Sequence, residues 1–221
     1  EGQKRVPLHI LERIITFGYT GASPALMGKC AEDGRELVFL TSSGRFLARV
    51  QGTVNGNVLL RRQQYRTADN ADASLKIARN MIAAKLFNSR WVLERMIRDH
   101  GPRIDAERFR QKSLLLKEAV SLAAEADSMD TLRGIEGEAA TVYFSVLDEM
   151  ILREKDTFFF HGRNRRPALD CVNAMLNFAY TLMTSMCTSA LESVGLDPYV
   201  GMMHTDRPGR PSLALDLVEE F

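Results

Sequence analysis

Little in this chain points to a disulfide framework, a zinc knuckle or a membrane. Its three cysteines, Cys30, Cys171 and Cys187, are far apart and form no Cys-x-x-Cys pair. Disulfide scaffolds and zinc sites need such spacings, so a reduced cytoplasmic setting is the expectation. No stretch approaches the roughly 18 consecutive apolar residues of a membrane span, and no basic segment leads into an apolar run near Glu1. A charge excess is also missing, since 29 Lys and Arg stand against 28 Asp and Glu. That balance excludes a histone-like polycation but leaves room for a basic face offset by acids elsewhere. There is no Gly-rich phosphate loop and no His-Asp pair, which argues against a phosphohydrolase of small nucleotides.

What is there is an ordinary globular composition, 45% hydrophobic and 26% charged, over 221 residues. At roughly 150 residues per domain this is one large domain or two small ones. The basic residues are unevenly divided, 22 Arg to 7 Lys. Arginine's planar fork suits bidentate contact with phosphate or carboxylate, although a GC-rich genome produces the same bias.

Two textures follow each other along the chain. Arg13 to Phe17, Glu36 to Thr41, Arg45 to Gln51 and Asn57 to Gln64 read as strands, and Thr41-Ser42-Ser43-Gly44 and Asn55-Gly56 as hairpin turns. In Arg45 to Gln51, the alternation of Phe46, Ala48 and Val50 with polar neighbours predicts one wet face. A short helix interrupts the strands between Ser23, a capping residue, and Gly34. Beyond a polar stretch the spacing turns helical: Leu75, Ala78, Ile82, Leu86 and Leu93 share a face, and similar stripes run through Leu114 to Ala126, Ile135 to Leu152 and Ala168 to Leu191. The expected fold is therefore α+β, with a small N-terminal β domain over 1–66, a linker over 67–73 and a larger all-helical domain over 74–221.

Three helical-part segments carry polar residues that packing alone does not require. In Arg133-Gly134-Ile135-Glu136-Gly137, each glycine costs roughly 1 kcal/mol inside a helix, and a close approach of backbone or ligand is the expected compensation. Tyr143 returns to the face of Glu136. The plain alternative is an exposed glutamate near a helix start. In the second segment, His204 closes a short apolar run and opens a Pro/Gly-rich loop with Arg207 and Arg210. A lone histidine is commonly structural, but it is also a common metal ligand. The third begins at Ser212, a candidate cap, and places Asp216 and Glu219 three apart on one helical face. They form either a solvated acidic stripe or a pair that needs a cation between them. Were Glu136, His204 and these acids to converge, the oxygen-rich set with one nitrogen would suit Mn²⁺ or Mg²⁺ better than zinc.

The run Gly134-Ile135-Glu136-Gly137-x-Ala139-Ala140-x-x-Tyr143-Phe144, then His204-Thr205 in its Pro/Gly loop, then Pro211-Ser212-Leu213-x-Leu215-Asp216-Leu217-x-Glu219, resembles the CRISPR-associated integrase family. This is the larger of the two universal proteins of CRISPR adaptation. Gly18-Tyr19-Thr20-Gly21-Ala22-Ser23, Gly44-Arg45-Phe46-Leu47-Ala48-Arg49-Val50 and Arg62-x-Gln64-Tyr65 extend the likeness over essentially the whole chain, towards members from type I systems. The resemblance implies an N-terminal β domain and a helical catalytic domain. It also implies a homodimer, a small ferredoxin-like adaptation partner, and a divalent metal, Mg²⁺ or Mn²⁺, used to join protospacer 3′-hydroxyls to the repeat array. It assigns the metal and the catalysis to Glu136, His204 and Glu219, with Asp216 in an auxiliary place among the metal residues. It further implies strands before Val6 and helices after Phe221, so the chain is expected to be an internal fragment.

Phosphate contact is sequence-independent and falls to basic residues. Arg163, Arg165 and Arg166 form a basic loop after Phe158-Phe159-Phe160, and Arg207 and Arg210 flank the His204 loop, making these five the expected contacts to double-stranded DNA. The expected activity is metal-dependent phosphoryl transfer on DNA, as an endonuclease and integrase. The competing expectation is a non-catalytic dimeric scaffold that binds DNA or protein.

Overall fold

The computed structural model describes residues 5–53, 57–165 and 167–221. Three strands, β1 (Arg13–Phe17), β2 (Glu36–Leu40) and β3 (Phe46–Val50), form a sheet in that order. β1 runs parallel to β2, with Ile15 opposite Val38. The parallel pairing needs a crossover, and α1 (Pro24–Glu32) supplies it: Ser23 Oγ accepts from Leu26 N–H, Pro24 takes the first position, and Gly34 follows at φ +66°. β2 and β3 pair antiparallel through the Thr41–Gly44 turn, where Gly44 sits at φ +82°. A side chain at Gly44 would also strike the Phe178 ring. The sheet's own core is small: Cys30, Leu37, Val38 and Leu40.

Two details of the β region depart from the sequence pattern. Asn57 to Gln64, expected as a strand, belongs to α2 (Val58–Ala68). The segment has no period-2 alternation, Leu, Arg and Gln are good helix formers, and Asn57 caps Leu59 N–H at 2.9 Å. In β3 the expected dry face is not dry, since Phe46 and Ala48 are exposed while Arg49 is partly covered, held in an ion pair with Glu192. The Asn55-Gly56 turn lies outside the described residues.

The helical part follows the predicted stripe around Leu75 to Leu93, whereas the one expected over Ile135 to Leu152 leaves its helix after Phe144 and the one over Ala168 to Leu191 enters its helix only at Cys171. All five residues named on α3 (Ala71–His100) are buried in one core, joined by Phe109, Leu116 and Ala123 of α4 (Ala106–Glu125) and Leu132 and Ala139 of α5 (Met129–Phe144). The polar stretch 67–73 contains the break between α2 and α3, with Asn70 capping Ala73 N–H. A long loop leads to α6 (Cys171–Ser193), and a second to the short α7 (Ser212–Val218), whose Leu213, Ala214 and Val218 pack with Met81, Cys187 and Leu191. The sheet docks on α6: Phe17 meets Phe178 at 6.1 Å between ring centres, and Ser189 Oγ donates to Glu36 at 2.8 Å. Gln64 of α2 holds the loop after α6, donating to the Asp197 and Val200 carbonyls at 2.7 and 3.1 Å and accepting from Asp197 N–H at 2.8 Å. Among the described residues no helix is long and apolar enough to cross a membrane.

Candidate active site

Asp216 organises the loop that bears His204. It has no exposed surface, so its carboxylate must find donors within the protein. Oδ2 accepts from Met202 N–H at 2.6 Å and Met203 N–H at 3.0 Å, while Oδ1 accepts from His204 N–H at 2.9 Å and lies 2.7 Å from His204 Nδ1. Three consecutive backbone donors converge only because the chain folds back at Gly201, where a Cβ would lie 2.6 Å from His204 O and 2.7 Å from Ser212 Cβ. With Nδ1 turned to Asp216, the neutral imidazole keeps its lone pair on Nε2, and a carboxylate behind a histidine fixes ring orientation in this way. Both oxygens of Asp216, expected in an auxiliary place among metal residues, are thus taken up by His204 and the loop backbone. Ser212 does not cap α7; its Oγ donates to Thr205 O at 3.1 Å, and the Leu213 and Ala214 N–H groups go to Pro198 O.

Glu136 and Glu219 meet through a residue that the sequence patterns did not single out. Lys85, on α3, donates to Glu136 Oε1 and to Glu219 Oε2 with one ammonium. Burial pulls its pKa down, but attraction and hydrogen bonds from Glu219 and Glu136 outweigh it, so the pKa stands above the ordinary lysine value. The carboxylates are about one fifth to one quarter exposed. Arg133, one turn before Glu136, donates to Met203 O at 2.7 Å and ties α5 to the His204 loop. Asn88, one turn after Lys85, donates to Glu220 O at 2.6 Å and ties the end of α7 to α3. The available signal for Lys85 is a lysine three residues beyond Ile82, beside Leu86, at the border of an apolar stripe.

The expected glycine contacts are absent among the described residues: apart from its own helix backbone, a Cβ at Gly134 or Gly137 would meet no atom within 4 Å. The side of α5 that carries them is open.

His204 and Glu219 share a groove of about 900 Å³ with Arg163, Arg165 and Arg210. One wall is a polar face of α6, with Asn177, Thr181, Thr184 and Thr188 at helical spacing, and Phe46 of β3 also lines it. Arg163 is partly built in: burial lowers its pKa, it donates to Asn173 Oδ1 at 2.9 Å, and its guanidinium lies 5.4 Å from the Tyr180 ring centre. Arg207 is exposed on the His204 loop and does not line the groove, and Arg166 lies outside the described residues. Glu136 reaches the groove residues through Lys85. Among the described residues no three His, Cys, Asp or Glu side chains already surround a common point as metal ligands, and a lysine ammonium is bonded to both glutamates. The donor set nonetheless fits a hard divalent cation: two carboxylates held around a positive charge, and an imidazole whose Nε2 has no hydrogen-bond partner among the described residues.

Residues 1–221 match the family model described as CRISPR associated protein Cas1. The chain is 51% identical over 217 residues to CRISPR-associated endonuclease Cas1 1 of Chlorobaculum tepidum, covering 98% of this chain and 63% of that protein. Among solved structures, a casposase bound to integration product superposes with a TM-score of 0.77 at 25% identity, over 95% of this chain and 56% of that one. A Cas1 protein from Thermotoga maritima gives a TM-score of 0.75 at 23% identity, over 99% of this chain and 66% of that one. The chain thus spans a little under two thirds of the curated relative's length.

Proposed function

From the premise that this chain belongs to the Cas1 family of CRISPR-associated proteins, we propose that it carries the centre of a metal-dependent DNA endonuclease and integrase. The observation that supports this most is that His204 and Glu219 share an arginine-lined groove while Lys85 joins Glu219 to Glu136. Glu136, His204 and Glu219 would hold Mg²⁺ or Mn²⁺. A divalent cation bound there offsets charge on the attacking and leaving oxygens of a phosphodiester. The protein's own residues do the rest. Asp216 keeps the imidazole in one orientation, and Arg133 and Asn88 fix the backbones that carry the ligands. Arg163, Arg165 and Arg210 offer the strand's phosphates charge-assisted contacts, which set position rather than sequence. Attack comes from a protospacer 3′-hydroxyl or from water and needs no covalent enzyme intermediate. Double-stranded protospacer and repeat DNA, a second copy of the chain and a small ferredoxin-like adaptation protein are the proposed partners, on the strength of family membership.

Titration of Mn²⁺ into the purified protein and into His204→Ala tests the site. Saturable binding that His204→Ala abolishes is expected, together with loss of strand transfer and retention of duplex binding in Glu136→Ala. Duplex binding without any His204-dependent Mn²⁺ binding would favour the non-catalytic scaffold instead.

A further inference from the structure

Two carboxylates bonded to the same nitrogen repel each other strongly unless a positive charge stands between them. Lys85 supplies that charge, and among the described residues Glu136 and Glu219 form ion pairs with Lys85 alone. The three side chains come from three separate helical segments, α3, α5 and the end of α7. The backbone ties are independent of the ammonium: Asn88 holds Glu220 to α3, and Arg133 holds α5 to the His204 loop. The carboxylates therefore have an anchored setting that outlasts departure of the lysine head. Lysine suits such departure, being a compact charge on a flexible four-carbon stem, whereas arginine's fork would lock onto both glutamates.

We propose that Lys85 is a built-in, exchangeable counter-cation: its ammonium holds Glu136 and Glu219 together and gives way when a divalent cation enters between them. The inference rests on the metal reading above and adds to it a residue that competes with the metal rather than binding it. Some positive charge then stands between the carboxylates in both states: with the ammonium the cluster keeps a net charge of about −1, and a divalent cation would neutralise it. It also makes apparent metal affinity lower than the two carboxylates and the imidazole would otherwise give, because the ion must first displace a bonded cation. The released ammonium stays tethered to α3 beside the groove.

The test is Mn²⁺ affinity, by calorimetry or by electron paramagnetic resonance of free Mn²⁺, in the native protein, Lys85→Met and Lys85→Arg. Lys85→Met should bind Mn²⁺ about tenfold more tightly than native protein, since it removes the competitor and leaves two unbalanced carboxylates. Lys85→Arg, which keeps the charge, should bind no more tightly than native. Thermal melting gives a second readout: Mn²⁺ should raise the melting temperature of Lys85→Met more than that of the native protein, by mass action on a site that lacks its own cation. Should Lys85→Met fail to fold, Lys85→Gln, which retains a hydrogen-bond donor, takes its place in the same measurements. Mn²⁺ binding in the neutral variant that is equal to or weaker than native overturns the exchange while leaving the metal site intact. Absence of His204-dependent Mn²⁺ binding in the native protein overturns the site, and the exchange with it.

Discussion

Asp216 and Glu219 stand three residues apart at one short helix, yet their surroundings are opposite. Asp216 has no exposed surface and its two oxygens receive three backbone N–H groups and face an imidazole nitrogen. Glu219 is partly exposed and is bonded to one lysine ammonium. Backbone donors cannot leave without unfolding the loop, whereas a lysine head can leave by rotating its own side chain. One carboxylate is therefore built to position and the other to exchange, although sequence spacing makes them look alike. The largest break in that comparison should come from Asp216→Ala. One buried and two partly buried N–H groups would lose their acceptor at about 1–3 kcal/mol each where water cannot reach them, so a loss of about 3 kcal/mol or more in urea unfolding is expected. His204-dependent Mn²⁺ binding should disappear with it. A loss under about 1 kcal/mol would mean that the loop does not depend on this carboxylate.

Gly201→Ala probes the same knot from its other side and should act less strongly. The added methyl would stand 2.6 Å from the His204 carbonyl on the loop and 2.7 Å from Ser212 Cβ at the start of α7. Relief requires the loop to shift away from α7, and overpacking of this kind costs about 1–3 kcal/mol. The readouts are the urea midpoint and Mn²⁺ affinity, which should fall together because the shift moves His204. A stability loss with unchanged affinity would separate the loop's folding from the imidazole's placement.

How far the sequence discloses these two regions depends on the kind of contact that builds them. The helices are legible because Leu75, Ala78, Ile82, Leu86 and Leu93 repeat at helical spacing, and all five are buried. The β2–β3 hairpin is legible because Gly44 takes a backbone angle that its turn demands. Asn57 to Gln64 misleads, since three adjacent apolar residues satisfy either element and only the missing alternation argues for a helix. At the site, Glu136, His204, Asp216 and Glu219 all stand out through their motifs. Their division of labour does not, because it depends on which donors meet each carboxylate in space. Lys85 lies 51 and 134 positions from its two partners, and no local pattern links such distances. Gln64 is visible only as part of a motif, and its anchoring of the Asp197–Val200 segment emerges once α2 is seen against that loop.

The smallest stability change, and the sharpest contrast with Asp216, should come from Glu219→Gln. The amide keeps an oxygen that can accept from Lys85, Glu136 remains as the lysine's charged partner, and solvent reaches the pair. Partly exposed ion pairs contribute little, so the urea midpoint should move by less than about 1 kcal/mol. Metal binding should nevertheless fall sharply, because an amide oxygen is a neutral and poorer ligand for a hard cation than a carboxylate. Stability and metal binding would then part company at Glu219 while moving together at Asp216. A Glu219→Gln protein that unfolds as readily as Asp216→Ala would erase the distinction, since it would make the lysine bridge as structural as the loop knot. One that stays folded and still binds Mn²⁺ with native affinity would instead remove Glu219 from the ligand set and leave Lys85 bridging two structural glutamates.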